Sequence, residues 1–484
     1  MKAFSLVRAR SVRLFIFAAI ATLSLIVRLY PLSRPDVNWT NFTPDSTGYM
    51  RLAAGLQGRC GFAPRWPGGV CGPAELERTP GYPLFLTTLP SLRSALIVQA
   101  VIGTGIVLVV ALFAWRFWGL TAGIIASLVA GFDISSILVS NLIMTEILFT
   151  ALVTLAILLQ LLIIERRTVD GLAIVGMLSV GALFGIATMV RPIGQLLFLI
   201  VPLVIASFNA ISIARKIILS LLVLSVPVAI VATWSYRNYQ QRGVWTFSTI
   251  GAINLYYYRA AGVIAHENGR SINVVQSYLL RSNGREIVGL DLWSKTLDED
   301  PAEMRRRAFK ILLHDPSAAV VVGLDGLLRC CCALSNRVGL SFFFGHRVGQ
   351  AEARAFVRRN ILSSVLLTLS SPWLVTFRAL LSLQLILMIF MWIGVGLAVW
   401  RLRSMEPLNI RLVLVLLCAA FLLLVAAAGP EATDRFRVPA VPLLALLAGF
   451  GWAPSGYYSD SDGYKLRHAR NPILRRVLEA CPRN

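Results

Sequence analysis

The sequence has few charged residues, few histidines and no cysteine spacing typical of a metal site. Charged side chains make up 14% of the 484 residues, with 24 acidic residues against 46 basic ones and only 4 histidines. None of the 7 cysteines belongs to a Cys-x-x-Cys pair, and Cys330, Cys331 and Cys332 are consecutive. This cysteine spacing excludes a cysteine-based metal motif. The sequence also shows no internal repeat and no low-complexity segment, so we do not predict a repeat protein.

Long hydrophobic runs are what the sequence has instead. Hydrophobic residues make up 57% of the chain and the mean hydropathy is +0.71, whereas soluble domains are about 45–50% apolar. Several uncharged runs exceed about 18 residues, which is enough to cross a hydrocarbon core of about 30 Å. Because lipid cannot hydrogen-bond the backbone and the runs do not alternate, we predict an all-α polytopic membrane protein.

The apolar segments predict about ten transmembrane helices, or about twelve if two weaker segments also cross. The first follows a basic N-terminus without a small-residue cleavage site, which favours an uncleaved helix over a signal peptide. The two weaker segments, 316–334 and 361–377, are either interfacial helices or an extra membrane pair. The predicted helices lie near 14–32, 94–114, 119–138, 143–164, 170–190, 193–211, 216–235, 379–400, 411–428 and 437–453.

Basic residues at the helix ends predict the orientation. The N-terminus, several turns between helices and the C-terminal tail are rich in Lys and Arg, so the positive-inside rule makes that side cytoplasmic. Two long segments, 33–93 and 236–378, are then extracytoplasmic. We expect a multi-pass protein of the bacterial inner membrane with both termini in the cytoplasm. The predicted regions are a transmembrane module at 1–235 that includes the loop 33–93, the segment 236–378, C-terminal helices at 379–455 and a basic tail at 456–484.

The net charge of +22 would indicate a nucleic-acid-binding protein if the chain were soluble. In a membrane protein, cytoplasmic Lys and Arg residues explain much of it, so no nucleic-acid partner is predicted. The outer segments are basic as well. That excess is typical of binding to anionic lipid head groups or to a phosphorylated substrate.

The first outer loop contains the first candidate site residues. Asp45 and Tyr49 are four residues apart and share a face if this stretch is helical; Asp45, which follows a proline, is either a helix cap or a catalytic group. Further on, a turn fixed by prolines and a glycine presents Arg78 and Tyr82, unless it is merely a helix-entry turn with an interfacial tyrosine. Cys60 and Cys71 of the same loop are a possible disulfide, although sequence cannot fix connectivity.

Two further candidates lie at the outer ends of membrane helices. Glu146 opens a helix among apolar residues, where a carboxylate is costly and therefore indicates function. Its alternative role is a favourable charge at a helix N-terminus. Arg191 ends a helix and could hold a phosphate in a bidentate contact, or it could extend its charge to the interface.

The second outer segment and the last outer turn contribute arginines. Arg237 lies in a Tyr- and Trp-rich stretch that could bind a sugar phosphate or form an interfacial aromatic belt. The last turn crowds Glu431, Asp434, Arg435 and Arg437 together. An exposed ion-pair cluster of little energetic value is the alternative interpretation of that turn.

Taken in chain order, these motifs resemble the GT-C superfamily of membrane glycosyltransferases. The similarity is strongest to bacterial members of the dolichyl-phosphate-mannose-protein mannosyltransferase type, and more distant to the lipid A aminoarabinose transferase. It spans about residues 40 to 450 of the chain. The motifs that carry it are Asp45 with Tyr49, Arg78-Thr79-Pro80-Gly81-Tyr82-Pro83, Thr145-Glu146, Arg191-Pro192, Arg237-Asn238 and Asp434-Arg435-Phe436-Arg437-Val438-Pro439.

The resemblance implies a transferase that moves a sugar from a polyprenyl-phosphate donor to an acceptor hydroxyl on the outer membrane face, with inversion. The implied catalytic residues are Asp45 and Glu146: Asp45 would be the base, and Glu146 would orient the acceptor or the sugar. Arginines would stabilise the leaving phosphate. The acceptor would be a glycan, a lipid or a protein. The implied substrate-binding residues are Tyr49, Arg78, Tyr82, Arg191, Arg237 and Arg435.

One departure from the family concerns metal binding. Many relatives have two adjacent carboxylates at the position of Asp45, whereas this chain has Asp45-Ser46. We therefore predict no metal-ligand set, although a divalent metal could still accompany the phosphate donor.

Three other functions compete with the transferase. A transporter or flippase of lipid-linked sugar would have short loops and internal repeats, which this chain lacks. An O-antigen-type polymerase also has large outer loops, and its catalytic case would rest on arginines rather than on Asp45. A structural scaffold would leave the outer carboxylates unexplained.

Overall fold

A computed structural model describes residues 2–33, 43–165, 171–206, 212–282, 299–332 and 372–454. Within these ranges the chain forms helices and short helical turns, and it contains no β-strand. The prediction of an all-α polytopic membrane protein is confirmed for this part of the chain. The predicted tail 456–484 and most of the predicted segment 361–377 lie outside the described residues.

Seventeen α-helices are described in this part of the chain. They are α1 Lys2–Leu29, α2 Pro44–Gln57, α3 Gly81–Thr87, α4 Leu92–Phe132, α5 Ile134–Ser140, α6 Glu146–Glu165, α7 Gly171–Val190, α8 Ile200–Ala206, α9 Ile213–Arg242, α10 Ile250–Ile253, α11 Ala261–Glu267, α12 Ile272–Ser282, α13 Pro301–His314, α14 Pro316–Cys332, α15 Pro372–Arg401, α16 Pro407–Ala427 and α17 Val441–Trp452. Tighter or wider turns occupy Tyr30–Ser33, Pro67–Gly69, Pro192–Leu199, Asn254–Ala260, Leu402–Ser404 and Asp434–Ala440.

Seven helices of the described chain are long and apolar enough to cross a membrane. The 41-residue α4 contains the predicted span 94–114 and most of the predicted span 119–138. The two parts are separated by a break at Gly119, whose φ of 88° favours glycine. The spans are Ser11–Ser33, Leu92–Phe132, Glu146–Ile163, Gly171–Val190, Ile213–Arg242, Ser382–Arg401 and Pro407–Ala427.

The two remaining predicted spans have shorter helices than the sequence suggested. The segment near 193–211 is a 3₁₀ turn followed by the seven-residue α8. The segment near 437–453 is a 3₁₀ turn, Asp434–Ala440, followed by the twelve-residue α17. Since an α-helix rises about 1.5 Å per residue, α17 alone is too short to cross a hydrocarbon core of about 30 Å.

Helix α17 lies at the centre of the bundle, and its residues Val441 to Gly451 are all buried. A Cβ atom on Gly449 would collide with the backbone of Ala122 in α4, and one on Gly451 would collide with the backbone of Gly394 in α15. Small residues therefore let three backbones approach closely, as is common between membrane helices.

Residues 250–332, as far as the structure describes them, form a smaller helical layer beside the bundle. The turn Asn254–Ala260 and helix α13 share a buried cluster that includes Tyr256, Tyr257 and Met304. Helices α13 and α14 meet at an angle of 103°, and α14 is the helix that occupies the predicted segment 316–334. Its Asp325 and Arg329 form an exposed ion pair.

Candidate active site

Helix α2 presents Asp45 without using it as a cap. Thr43 caps the helix, since its Oγ1 accepts a hydrogen bond from the Ser46 amide at 3.0 Å, and Pro44 fits the first helical position. Asp45 stands in the first turn, where the helix dipole favours a negative charge. The capping role that its sequence position allowed is therefore filled by Thr43.

The Asp45 carboxylate lies between two arginines. Arg78 Nη2 donates to Oδ1 at 3.0 Å, and Arg435 Nη2 donates to Oδ2 at 3.3 Å. Burial alone would raise the pKa of Asp45, but the charges of Arg435 and Arg78 outweigh burial and hold the pKa below its ordinary value of 3.8. Asp45 is therefore an ionised group with 38% of its side chain exposed.

The loop around Arg78 is organised by a buried glutamate. Glu75 Oε1 accepts hydrogen bonds from the amides of Glu77 at 2.7 Å and Arg78 at 2.9 Å. The Arg78 guanidinium rests against α2, where a Cβ on Gly48 would approach its Cζ to 2.9 Å. It also lies over the ring of Tyr49, with Cζ 5.3 Å from the ring centroid. Arg78 therefore reaches Asp45 because α2 has a glycine at this point.

A second ion pair lies at the start of α6. Arg191 Nη1 is 3.0 Å from Glu146 Oε1, and the Glu146 side chain is only 1% exposed. The ring of Phe436 contacts Arg191 of this pair and also Arg435. The Cζ atom of Arg191 lies 5.4 Å and that of Arg435 lies 4.8 Å from the ring centroid. Phe436 therefore connects the Glu146–Arg191 pair with the arginine that holds Asp45.

These residues line a cleft of about 610 Å³, a volume typical of small-molecule sites. One part of its wall is apolar: α10 and the end of α16 contribute Ile250, Ile253, Leu423 and Ala426 there. Charged groups on one part of the wall and aliphatic groups on another suit a ligand with a charged head and a hydrophobic body. The predicted site residues that line the cleft are Asp45, Tyr49, Arg78, Glu146, Arg191 and Arg435.

Two predicted site residues lie elsewhere. Tyr82 is fully buried, packs edge-on against Tyr49 at 5.0 Å and donates to Gln99 Oε1 at 2.6 Å. Gln99 in turn donates to the carbonyl of Leu142, in the turn that precedes Glu146. Arg237 donates to the carbonyls of Glu75 and Phe62 at 2.9 and 3.1 Å. Arg237 therefore fastens the first outer loop to the end of α9.

The turn that contains Asp434 and Arg437 is not the exposed ion-pair cluster that one interpretation of the sequence predicted. Arg437 is 0% exposed and Asp434 is 3% exposed. Arg437 Nη2 pairs with Asp133 Oδ1 at 3.3 Å, and Asp434 Oδ2 accepts from Ser135 Oγ at 2.9 Å. Buried contacts therefore fix the 3₁₀ turn that carries Arg435.

Some lining residues had no specific role in the sequence-based prediction, among them Glu77, Asn254, Tyr258 and Glu431. Tyr258 stood in an aromatic run that also suited a membrane belt, and only the π-helical turn Asn254–Ala260 brings it to the cleft. No group of three or more His, Cys, Asp or Glu side chains in the described chain is arranged to hold a metal ion. In the first outer loop, Cys60 and Cys71 are joined by a disulfide.

No family model and no curated protein matches the sequence. Solved structures do match. The apo oligosaccharyltransferase of Archaeoglobus fulgidus aligns with 96% of this chain and 52% of its own, at a TM-score of 0.50 and 13% identity. The chain shares the fold of this oligosaccharyltransferase. The resemblance stated from the motifs is thereby confirmed at the level of the fold.

Two further GT-C structures are similar to a lesser degree. AglB of A. fulgidus, in complex with an inhibitory peptide and a dolichol-phosphate, aligns with 97% of this chain and 52% of its own at a TM-score of 0.47 and 13% identity. ArnT of Cupriavidus metallidurans, bound to undecaprenyl phosphate, aligns with 91% and 77% at a TM-score of 0.37 and 14% identity. The chain spans about half the length of the oligosaccharyltransferases.

Proposed function

We propose that the chain is a membrane glycosyltransferase that transfers a sugar from a polyprenyl-phosphate donor to an acceptor hydroxyl on the extracytoplasmic face, with inversion. The observation that carries the proposal is the ionised Asp45 carboxylate between Arg78 and Arg435 in a cleft with an apolar wall. A base, two cations for a phosphate and a surface for a lipid are the groups that this reaction needs. The acceptor is a glycan, a lipid or a protein hydroxyl.

The donor phosphate would bind where the guanidinium groups converge. Arg78 and Arg435 present planar donors that suit two phosphate oxygens, and both already lie within 3.4 Å of Asp45. The first isoprene units of the donor would lie along the apolar wall formed by α10 and α16. The arginines would then stabilise the negative charge that grows on the phosphate as the glycosidic bond breaks.

Phosphate binding would also activate Asp45. In the free protein both arginines stabilise the charged carboxylate, which makes it a weak base. A bound phosphate draws those guanidinium groups toward itself and adds a negative charge nearby, and both effects raise the pKa of Asp45. Asp45 would therefore become a stronger base only when a donor is in place, and it would take the proton from the acceptor hydroxyl.

The Glu146–Arg191 pair would position the reacting groups. Its carboxylate is nearly inaccessible, so it is poorly placed to exchange protons with water. Arg191 is 19% exposed and faces the cleft beside Phe436. We therefore assign Arg191 to contact with the donor or acceptor, and Glu146 to holding Arg191 in place.

Sugar transfer by the purified, reconstituted protein tests the proposal. Radiolabelled undecaprenyl-phosphate mannose, glucose and aminoarabinose would be supplied with an extract of endogenous acceptors. The control variant would be Glu303→Gln, which alters a partly exposed carboxyl group on α13. We expect label to enter acceptor material with at least one donor. If no donor supports transfer while labelled lipid crosses the bilayer in the same vesicles, the chain is a flippase instead.

Gly48→Ala should weaken donor binding without destabilising the protein. A helical Gly→Ala change ordinarily stabilises by about 0.4–1 kcal/mol, but here the new Cβ would push Arg78 away from Asp45. We expect the donor KM to rise by about tenfold, corresponding to the loss of about 1.4 kcal/mol of binding, with an unchanged or higher unfolding temperature.

The matched control for this change is Gly396→Ala in α15, where a Cβ would meet nothing within 4 Å. It should gain similar stability and keep the wild-type KM. An unchanged KM in Gly48→Ala would show that Arg78 does not contact the donor.

A further inference from the structure

The carboxyl group of Glu431 has no role in the reaction described above. Glu431 lines the cleft from the turn between α16 and the 3₁₀ segment Asp434–Ala440. Its Oε2 is buried and accepts no hydrogen bond within the described chain. A buried polar atom without a partner is costly, so an unpartnered oxygen in a ligand cleft points to a partner that arrives with the ligand.

The turn that carries Glu431 is built tightly. A Cβ on Gly429 would collide with the Glu431 carboxyl group, so the side chain folds back over its own turn. A Cβ on Gly326 of α14 would lie 2.5 Å from the Gly429 amide nitrogen, which shows how closely α14 packs on the turn. Pro430 is held from α14 as well, since its carbonyl accepts from Arg329 at 3.4 Å. Glu431 is therefore presented on a rigid support.

The electrostatic surroundings differ from those of Asp45. Arg259, the cation whose charge acts on Glu431, donates instead to the carbonyl of Ala426 at 2.8 Å. Burial dominates and raises the pKa of Glu431 above its ordinary value of 4.5. Other titratable groups lie on the elements around this turn: Tyr258 and Arg259 of the π-helical turn, Arg329 and Cys330 of α14, and Asp434 and Arg435 of the following segment.

Neutral hydrogen-bonding groups accompany Glu431 on this part of the wall. Asn254 and Tyr258 stand one turn apart in the same π-helical segment and line the cleft. Burial raises the pKa of Tyr258 to about 12, so its phenol stays neutral. An amide, a phenol and a carboxyl group beside the aliphatic Ile253 suit the hydroxyl groups and C–H face of a sugar rather than a phosphate.

We propose that Glu431 recognises the donor sugar, and that its carboxyl oxygens accept hydrogen bonds from the sugar hydroxyl groups. This assignment rests on the proposed function, because it takes the phosphate to bind at Arg78 and Arg435. It makes Glu431 a residue that selects the sugar, distinct from the residues that hold the phosphate.

Direct binding of two lipids to the intact protein tests the assignment. The probes are undecaprenyl phosphate and whichever of its mannose, glucose and aminoarabinose conjugates binds the wild type most tightly. Affinities would be measured in detergent for the wild type, Glu431→Ala, Glu431→Gln and the control Glu267→Gln, an exposed carboxyl on α11. Unfolding temperatures of all variants would be compared to separate recognition from folding.

We expect Glu431→Ala to weaken binding of the sugar-bearing lipid by about 5- to 10-fold, as for the loss of one or two hydrogen bonds, and to leave undecaprenyl phosphate unaffected. Glu431→Gln should retain part of the affinity, because its amide oxygen still accepts a hydrogen bond from a sugar hydroxyl.

The outcomes distinguish the two proposals. Equal weakening for both lipids would place Glu431 at the phosphate, and no weakening for either would remove it from recognition. If the wild type binds neither lipid, the proposed function itself fails.

Discussion

Asp45→Asn should reduce sugar transfer by about 10²–10⁴-fold, the range expected for removal of a general base. The change keeps the shape of the side chain and removes its charge and its ability to take a proton. Because Asp45 pairs with Arg78 and Arg435, it would compete with the proposed donor phosphate for them, and the variant should bind undecaprenyl phosphate at least as tightly as the wild type. Reconstituted transfer and lipid binding, measured on the same preparation, check both expectations.

This combination separates a catalytic role from a structural one. A variant that lost activity through misfolding would lose lipid binding too, and the control Glu303→Gln should retain both. Since Arg435 and Arg78 hold the pKa of Asp45 below 3.8 in the free protein, its ionisation should not limit transfer near neutral pH. Transfer that survives Asp45→Asn would make another residue the base.

Arg437→Met should destabilise the protein by about 3–5 kcal/mol, the usual cost of leaving a buried charge without its partner. Asp133, which pairs with Arg437 at 3.3 Å, has only 6% of its side chain exposed. The carbonyls of Cys330 and Cys331 would each lose a hydrogen bond from Arg437 as well. Thermal unfolding in detergent should show a clearly lowered midpoint.

Two further variants make the assignment specific. Adding Asp133→Asn to Arg437→Met removes the stranded charge and should recover part of the lost stability. Arg306→Met breaks an ion pair with Glu303 on the exposed surface of α13 and should leave the midpoint unchanged. A midpoint unaffected by Arg437→Met would mean that the pair does not anchor the turn that carries Arg435.

Much of the site could be predicted because its residues lie where a membrane chain rarely places charge. Glu146 and Arg191 stand at the ends of apolar helices, and charged residues in such positions indicate function from the amino-acid sequence alone. Asp45 and Arg78 belong to a polar loop, yet their order along the chain matched a family pattern. All four line the same cleft.

Other features depend on packing that the sequence does not state. Hydropathy predicted that α17 is part of a membrane span. The hydropathy of an apolar residue is the same whether it faces lipid or protein, and α17 is buried by neighbouring helices. The Tyr- and Trp-rich sequence around Arg237 suggested a ligand-binding residue, whereas in the structure Arg237 donates to backbone carbonyls. The position of Glu431 required knowledge of how α14 packs on Gly429.

The charge balance of the cleft determines how it can select an anion. Among the residues that the structure describes, four carboxyl-bearing and four guanidinium-bearing side chains line it: Asp45, Glu77, Glu146 and Glu431 with Arg51, Arg78, Arg191 and Arg435. With all eight ionised the cleft is formally neutral, although the whole chain carries +22. Free inorganic phosphate would therefore find little net attraction there. The proposed lipid-linked phosphate would gain additional binding energy from its buried chain and would displace the resident carboxylates from their arginines. The cleft would then discriminate by exchange of ion-pair partners rather than by its net charge.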